Sequence, residues 1–314
     1  MASQVSPGVV IRERDLSTGV LTGVSGLRAG FASSFRSGDV GKIVNIGSER
    51  ELLEVFGAPA EDNAEDGLVA GEFLRYGGQL AVVRAVTGVE NATKSGTGVL
   101  IADKNAFDSG VTTEKFAARD AGTEGNNLRV VIVDKVADAK MTKAGIGTTA
   151  SVGDQLSDGA TTDHEITVII DANTVGIKEG GGTAASGNGF TKSAFTASDW
   201  NALPIGDTGL TYKAIGARPG TSAYASERFL SADEVHVAVV DTSTNTIVER
   251  NLFLSKLSDG KTPEGASSYW KDYVNEFSAF IYAGAALTST EFTTSGEDSG
   301  ASAASYLSLI HISE

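Results

Sequence analysis

Residues 41–86 constrain the fold more tightly than any other part of the chain, because each boundary in them is marked by its own residue chemistry. GKIVNI (41–46) reads as a short buried strand. Ser48 with Glu51 three residues on has the capping-box spacing, so a short helix starts there and runs to Phe56. Leu52 and Phe56 share its inner face, and Gly57 with Pro59 ends it. An acidic loop, APAEDNAED, leads into a second helix over about 64–76. There Val69, Phe73 and Tyr76 fall at i, i+4 and i+7, the spacing of a core-facing stripe, and Gly71 beside it permits close packing. Gly77-Gly78 stops that helix, and LAVVRAV (80–86) is a strand apolar on both faces. The result is a strand–helix–helix–strand unit with Phe56, Val69, Phe73 and Tyr76 as its expected core.

The remaining chain is less sharply marked. At 314 residues it exceeds the usual size of one domain, which predicts two or more lobes. It holds 38 glycines against 5 prolines, a balance that points to turns and bulges in a β-rich protein rather than to disorder. Residues 88–113 are rich in Gly, Thr, Ser and Asn and carry no clear element. GTEGNN (122–127) is a turn before the strand LRVVIVD (128–134). The stretch 138–211 is dense in small polar residues, with one clear strand, EITVIID (165–171). It reads as an inserted β-rich lobe, since Phe190, Phe195 and Trp200 require burial. DEVHVAVVD (233–241), the turn TSTN and TIVERNLFLSKL (246–257) form a hairpin. A helix over about 266–277 follows, with Trp270, Tyr273, Val274 and Phe277 on one stripe, and then a last strand, AFIYAG (279–284). The fold class is therefore α+β: multi-lobed, with β-rich mixed sheets, a few short helices and an extended N-terminal arm.

Charge and motifs exclude several functions. The net charge of −15 repels phosphate backbones and anionic bilayers, which argues against direct nucleic-acid or membrane partners. The chain has no cysteine, so thiolate metal sites, thiol nucleophiles and disulfides are absent. His236 alternates with valines and reads as a residue on the less buried face of a strand, and His164 as a turn residue entering one. Neither has a second ligand at metal-binding spacing. GGG (180–182) lacks the strand and helix of a phosphate loop, and DNAED (62–66) lacks the spacing of a calcium loop. No catalytic, cofactor-binding or metal-binding residues are assigned, no cofactor is expected, and the chain is not read as an enzyme.

The N-terminal stretch SPGVVIRERDLS has an odd composition for a strand. With period two, Val9, Ile11, Glu13 and Asp15 face one way and Val10, Arg12, Arg14 and Leu16 the other. Each face is half apolar and half charged, with opposite signs. The residues alone fit either an edge strand of the chain's own domain or an arm that adds to a neighbour.

Several segments, in order, resemble contractile tail sheath proteins of myophages, particularly the large T4-like and cyanophage type. They are SPGVVIRERDLS, GKIVNIGSERELLEVFGAP, GEFLRYGGQLAVVRAV, GTEGNNLRVVIVD, ARPGTSAYA with DEVHVAVVD, and SSYWKDYVNEFSAFIYAG. The quoted motifs leave the 138–211 lobe outside the resemblance. It implies an arm over 1–22, an α/β core from 23–137 and 212–287, the inserted lobe at 138–211, and a polar tail over 288–314. Val9, Val10, Ile11, Arg12, Glu13, Arg14 and Asp15 would be the subunit-interaction segment, adding a strand to a neighbouring copy.

The implied role is a structural subunit of a contractile bacteriophage tail sheath. Its partners would be other copies in stacked hexameric rings, the tail tube, and the baseplate and tail terminator proteins. Its location would be the virion tail, and the host cytoplasm during assembly. Contraction would drive the tube through the host envelope. The alternative is a β-rich surface binding module of adhesin type without catalysis. Sheath proteins continue into a further C-terminal domain, and SLIHISE resembles translated adapter sequence. The expectation is thus a longer natural protein in which about 308–314 are not native.

Overall fold

A computed structural model of the chain describes residues 27–61, 63–93, 98–110, 114–159, 163–180, 184–206, 208–284 and 308–309. The expected arm over 1–22 and nearly all of the 288–314 tail lie outside the described residues. The described backbone divides into two compact units, one drawn from 27–35 and 42–85 and the other from 36–41 and 86 onward.

The first unit contains β1 (Arg28–Ser33), β2 (Ile43–Ile46), α1 (Glu49–Phe56), α2 (Ala64–Arg75) and β3 (Gln79–Arg84). β3 is central, parallel to β1 and antiparallel to β2. The strand–helix–helix–strand order matches the sequence expectation, and β1 is an addition to it. At the start of α1 the Ser48 side chain accepts from the Glu51 backbone N–H, and the Glu51 carboxylate reaches back to the Gly47 N–H at 2.8 Å. The core holds Phe35, Ile46, Leu52, Phe56, Ala70, Leu74, Leu80 and Val82. Buried Arg84 donates from Nε to the Phe35 carbonyl at 2.6 Å.

Three expectations for this unit are corrected. Val69 and Tyr76 are exposed, at 61% and 78%, and Phe73 is half-buried. The inner stripe of α2 is Gly67, Ala70, Gly71 and Leu74, also at i, i+3, i+4 and i+7. Small residues win that face because α2 approaches its neighbours too closely for larger ones: a Cβ on Gly67 would lie 2.6 Å from the Pro59 ring. β2 is not wholly buried either, since Ile43 is 66% exposed while Ile46 is inside.

The second unit opens with β4 (Asn91–Thr93) and α3 (Lys104–Asp108), which lie in the stretch 88–113 without clear sequence signals, and β5 (Phe116–Ala121) after it. A 3-10 turn over Thr123–Asn127 leads into β6 (Leu128–Val133). Then come β7 (Ala139–Thr142), α4 (Ile146–Thr149), β8 (Gln155–Ser157), β9 (Asp163–Asp171), β10 (Thr174–Lys178) and β11 (Thr191–Ala194). The helices α5 (Ala197–Ala202), α6 (Tyr212–Ile215) and α7 (Ala223–Ser226) precede β12 (Glu234–Asp241) and β13 (Thr246–Ser255). α8 (Trp270–Phe277), β14 (Ile281–Ala283) and β15 (Ser308–Leu309) complete the described elements.

The sheet orders in this unit are β11-β7-β10-β9-β8, β13-β12-β6-β15 and β14-β5-β4. The expected hairpin is present as β12–β13, with Asn245 in its turn at φ 51°. One face of the β12–β6 sheet packs on Trp270 and Val274 of α8 together with Phe116 and Ile281. Phe277, placed on the buried stripe by its spacing, is 60% exposed. The opposite face packs on Phe195, Trp200, Leu203, Ile205, Tyr212 and Ile215. The five-stranded sheet has its own core of Met141, Leu156, Ile166, Val175, Ile177 and Phe190.

Candidate assembly surfaces and buried polar centres

The sequence-predicted interaction residues Val9, Val10, Ile11, Arg12, Glu13, Arg14 and Asp15 lie outside the described residues. What the structure adds is a set of buried polar centres and a set of exposed apolar side chains, and the two differ in what they can do.

The buried centres are bound by main chain and by neighbouring side chains. His236 is fully enclosed in β12, not on a less buried face. Its Nε2 donates to the Ala217 carbonyl at 2.7 Å, and its Nδ1 accepts from the Phe253 N–H at 3.0 Å. Both ring nitrogens are therefore used by the main chain, and burial holds the imidazole below its usual pKa. His164 is likewise buried within β9 rather than set in a turn. Its Nδ1 accepts from the Gly180 N–H at 3.2 Å, so its other nitrogen carries the proton that faces Asp158 Oδ2 at 3.4 Å. That same oxygen accepts from the Ala185 N–H at 2.7 Å.

Lys256 and Asp134 make a wholly buried ion pair at 3.1 Å, and the second carboxylate oxygen accepts from the Val136 N–H. Val136 is β-branched and sits at φ 69°, a backbone region that such residues rarely adopt. Asp233 ties Ser222 to Ser255 through hydrogen bonds of 2.8 and 2.6 Å. These groups join loops to strand ends, and both donors and acceptors are consumed in doing so. Among the described residues no group of three or more His, Cys, Asp or Glu is placed to hold a metal ion. No described helix is long and apolar enough to cross a membrane.

Exposed apolar side chains are scattered over both units, and several of the most exposed are these. On the first unit, Leu68 and Val69 of α2 line a groove of about 300 Å³, with Glu49, Glu72 and Arg75 around it. Arg75 bridges the two acids at 3.1 Å and 3.4 Å. Tyr76 and Leu53 are exposed on the same two helices or their ends. On the second unit, Phe229 is 99% exposed, and Phe277 and Phe253 are partly so. Composition and periodicity marked none of these as surface, because apolar residues in regular elements read as core.

Comparison with known proteins places these surfaces in a context. The tail sheath protein of Salmonella phage ViI is 26% identical over 323 aligned residues, covering 90% of this chain and 50% of that protein. The chain is similar to a phage tail sheath protein over nearly its whole length. The tail sheath protein of Enterobacteria phage T4 is 30% identical over 46% of the chain and 22% of its own length. That of Vibrio phage KVP40 is 33% identical over 28% of the chain and 13% of its own. The chain thus spans about half the length of the Salmonella phage protein, and the other two matches span less. A match to 90% of the chain also runs through 138–211, the segment that the quoted motifs left outside the resemblance. No family model matches. The crystal structure of a sheath tail protein from Desulfitobacterium hafniense aligns with 62% of this chain and 41% of that one, at 14% identity and a TM-score of 0.24, too low to carry an argument about fold.

Proposed function

We propose that the chain is a structural subunit of a contractile phage tail sheath. The reading rests on the sheath-protein match that spans 90% of the chain. It is supported by polar centres whose donors and acceptors are engaged within the fold, His236 by main chain and Asp233 by the hydroxyls of Ser222 and Ser255. The subunit works mechanically rather than as a catalyst. Copies stack as hexameric rings around the tail tube, between the baseplate and the tail terminator. On triggering they slide as near-rigid bodies into a contracted array and push the tube through the host envelope.

In this reading residues 1–22 are an arm, and Val9 to Asp15 add a strand to a sheet of another copy. Basic Arg12 and Arg14 on one face, and acidic Glu13 and Asp15 on the other, suit a strand lying between unlike neighbours. The subunit is assembled in the host cytoplasm and ends in the virion tail.

Immunogold labelling of purified virions with antibodies raised against the chain tests the proposal. Label distributed along the whole tail is expected. Label confined to fibre tips or to the capsid would overturn it and return the adhesin-type alternative.

A further inference from the structure

Asp134 and Lys256 are the first residues beyond β6 and β13, and their side chains meet at 3.1 Å with each only 1% exposed. β6 and β13 do not pair with each other, since each flanks β12 on its own side. The two residues are 122 positions apart in the chain, and both lie at the end of the sheet where β12 begins. An ion pair so enclosed carries a heavy desolvation cost, because both charges have left water. The Tyr212 phenol is buried in the same core as Val133 and Val136. Burial and the Asp134 charge hold it above its usual pKa, so it stays neutral beside the pair.

Both partners are fixed in place. The Lys256 Nζ donates to Oδ2 of Asp134, and Oδ1 accepts from the Val136 N–H at 2.8 Å. That N–H is aimed by a backbone at φ 69°, which is costly for a β-branched residue, and strain of this kind gathers at functional sites. The Lys256 backbone N–H donates to the Asp233 carbonyl at 2.8 Å, which anchors the lysine from behind. An amine is thus held against a carboxyl group, with a main-chain donor on the other oxygen and water excluded. Proximity and a donor at the oxygen that gains charge are what acyl transfer to nitrogen requires.

We propose that Lys256 and Asp134 condense into an isopeptide bond within the chain. One proton passes from Nζ to Oδ2 along their hydrogen bond, leaving an amine and a carboxylic acid. The nitrogen lone pair attacks the Asp134 Cγ, and the Val136 N–H steadies Oδ1 as it gains negative charge. The Cγ–Oδ2 bond then breaks, Oδ2 takes a second proton from the nitrogen, and water leaves. Ammonium and carboxylate have become an amide and one water, with no oxidant or co-reactant. The product replaces two buried charges by a neutral group. It also ties β6 to β13 across β12, so the three strands cannot be drawn apart at that end. The inference is independent of the sheath reading, and neither falls with the other.

Intact-mass spectrometry of the full chain, folded and then denatured, tests the proposal. The chain should weigh one water less than its sequence. Tryptic digestion should leave VVIVDK (130–135) joined to NLFLSKLSDGK (251–261), uncut after Lys256. Asp134→Asn keeps the shape of the site and releases ammonia in place of water, so its linked form should have the same mass as the linked wild-type chain. Lys256→Gln should show the full mass of its own sequence. A wild-type chain of full mass that is cleaved after Lys256 would overturn the proposal. So would a lost water mapped to any other position, such as a succinimide at Asp259.

Discussion

His236 shows how a single ring can make stability depend on pH. Protonation would place a second ring N–H against the Phe253 N–H, which already points at Nδ1, so the folded state favours the neutral ring. Its folded pKa lies below the unfolded value of about 6.5. The unfolded chain therefore takes up a proton first, and stability is complete above that value and is lost as pH falls below it. The thermal midpoint should be flat above about pH 7 and decline toward pH 5.5, ahead of the carboxylates. His236→Gln, less stable throughout, should lose the slope in that window; an unchanged slope would assign it to another group. Phe56 makes a second residue-scale case. It is fully buried, with its ring 4.9 Å from that of Phe35, and Phe56→Ala should cost about 3–5 kcal/mol in denaturant unfolding. Tyr76→Ala should stay within about 0.5 kcal/mol. The i, i+4, i+7 spacing implied the opposite for Tyr76. Two stripes share α2, and bulk pointed to the wrong one, because a helix that packs closely turns its smallest residues inward.

Elements with chemical punctuation are legible in the sequence, and those without it are not. Ser48 and Glu51, Gly77-Gly78 and the TSTN turn each lie at an observed boundary. α3 does open on a cap, Asp103, whose side chain accepts from the Ala106 N–H, but β4 and β5 carry no such marks. They are held by long-range contacts, such as the Asn91 side chain bonding the carbonyls of Ala118 and Arg119, that no local pattern announces. The buried histidines were misread for a related reason: a polar ring inside a strand looks half-exposed until its backbone partners, 17 to 19 residues away for His236, are known. The inserted lobe raises the same question for its limits. Ala139 and Ala194 are paired in neighbouring strands, so the chain enters and leaves the five-stranded sheet at one place. Arg218 fixes both ends by donating to the carbonyls of Lys135, Ala137 and Phe195. Beyond that point Phe195, Trp200, Leu203 and Ile205 belong to the core on β6 and β12. We therefore propose 139–194 as the removable segment. Its replacement by a short Gly/Ser bridge should leave one cooperative melt, whereas excising 138–211 removes those four side chains and should abolish it. Loss of folded signal on the shorter excision would show that the sheet supports the rest of the unit.

For the whole molecule, charge decides what assembly must overcome. Each copy carries −15, and close packing of many copies brings like charges within a Debye length of about 8–10 Å at moderate salt. Attraction between exposed apolar side chains such as Leu68, Val69 and Phe229 does not weaken with ionic strength, while the mutual repulsion is screened. The proposed sheath, if its contacts are of that kind, should thus associate more strongly as salt rises. This is the reverse of a protein that binds phosphates or an oppositely charged partner, which salt releases. Sedimentation of the full chain at low and high sodium chloride reads the difference directly. A shift toward larger species at high salt is expected. Dissolution of assemblies by salt would mean that ion pairs such as Arg75 with its two acids, re-formed between copies, carry the contacts instead of apolar side chains.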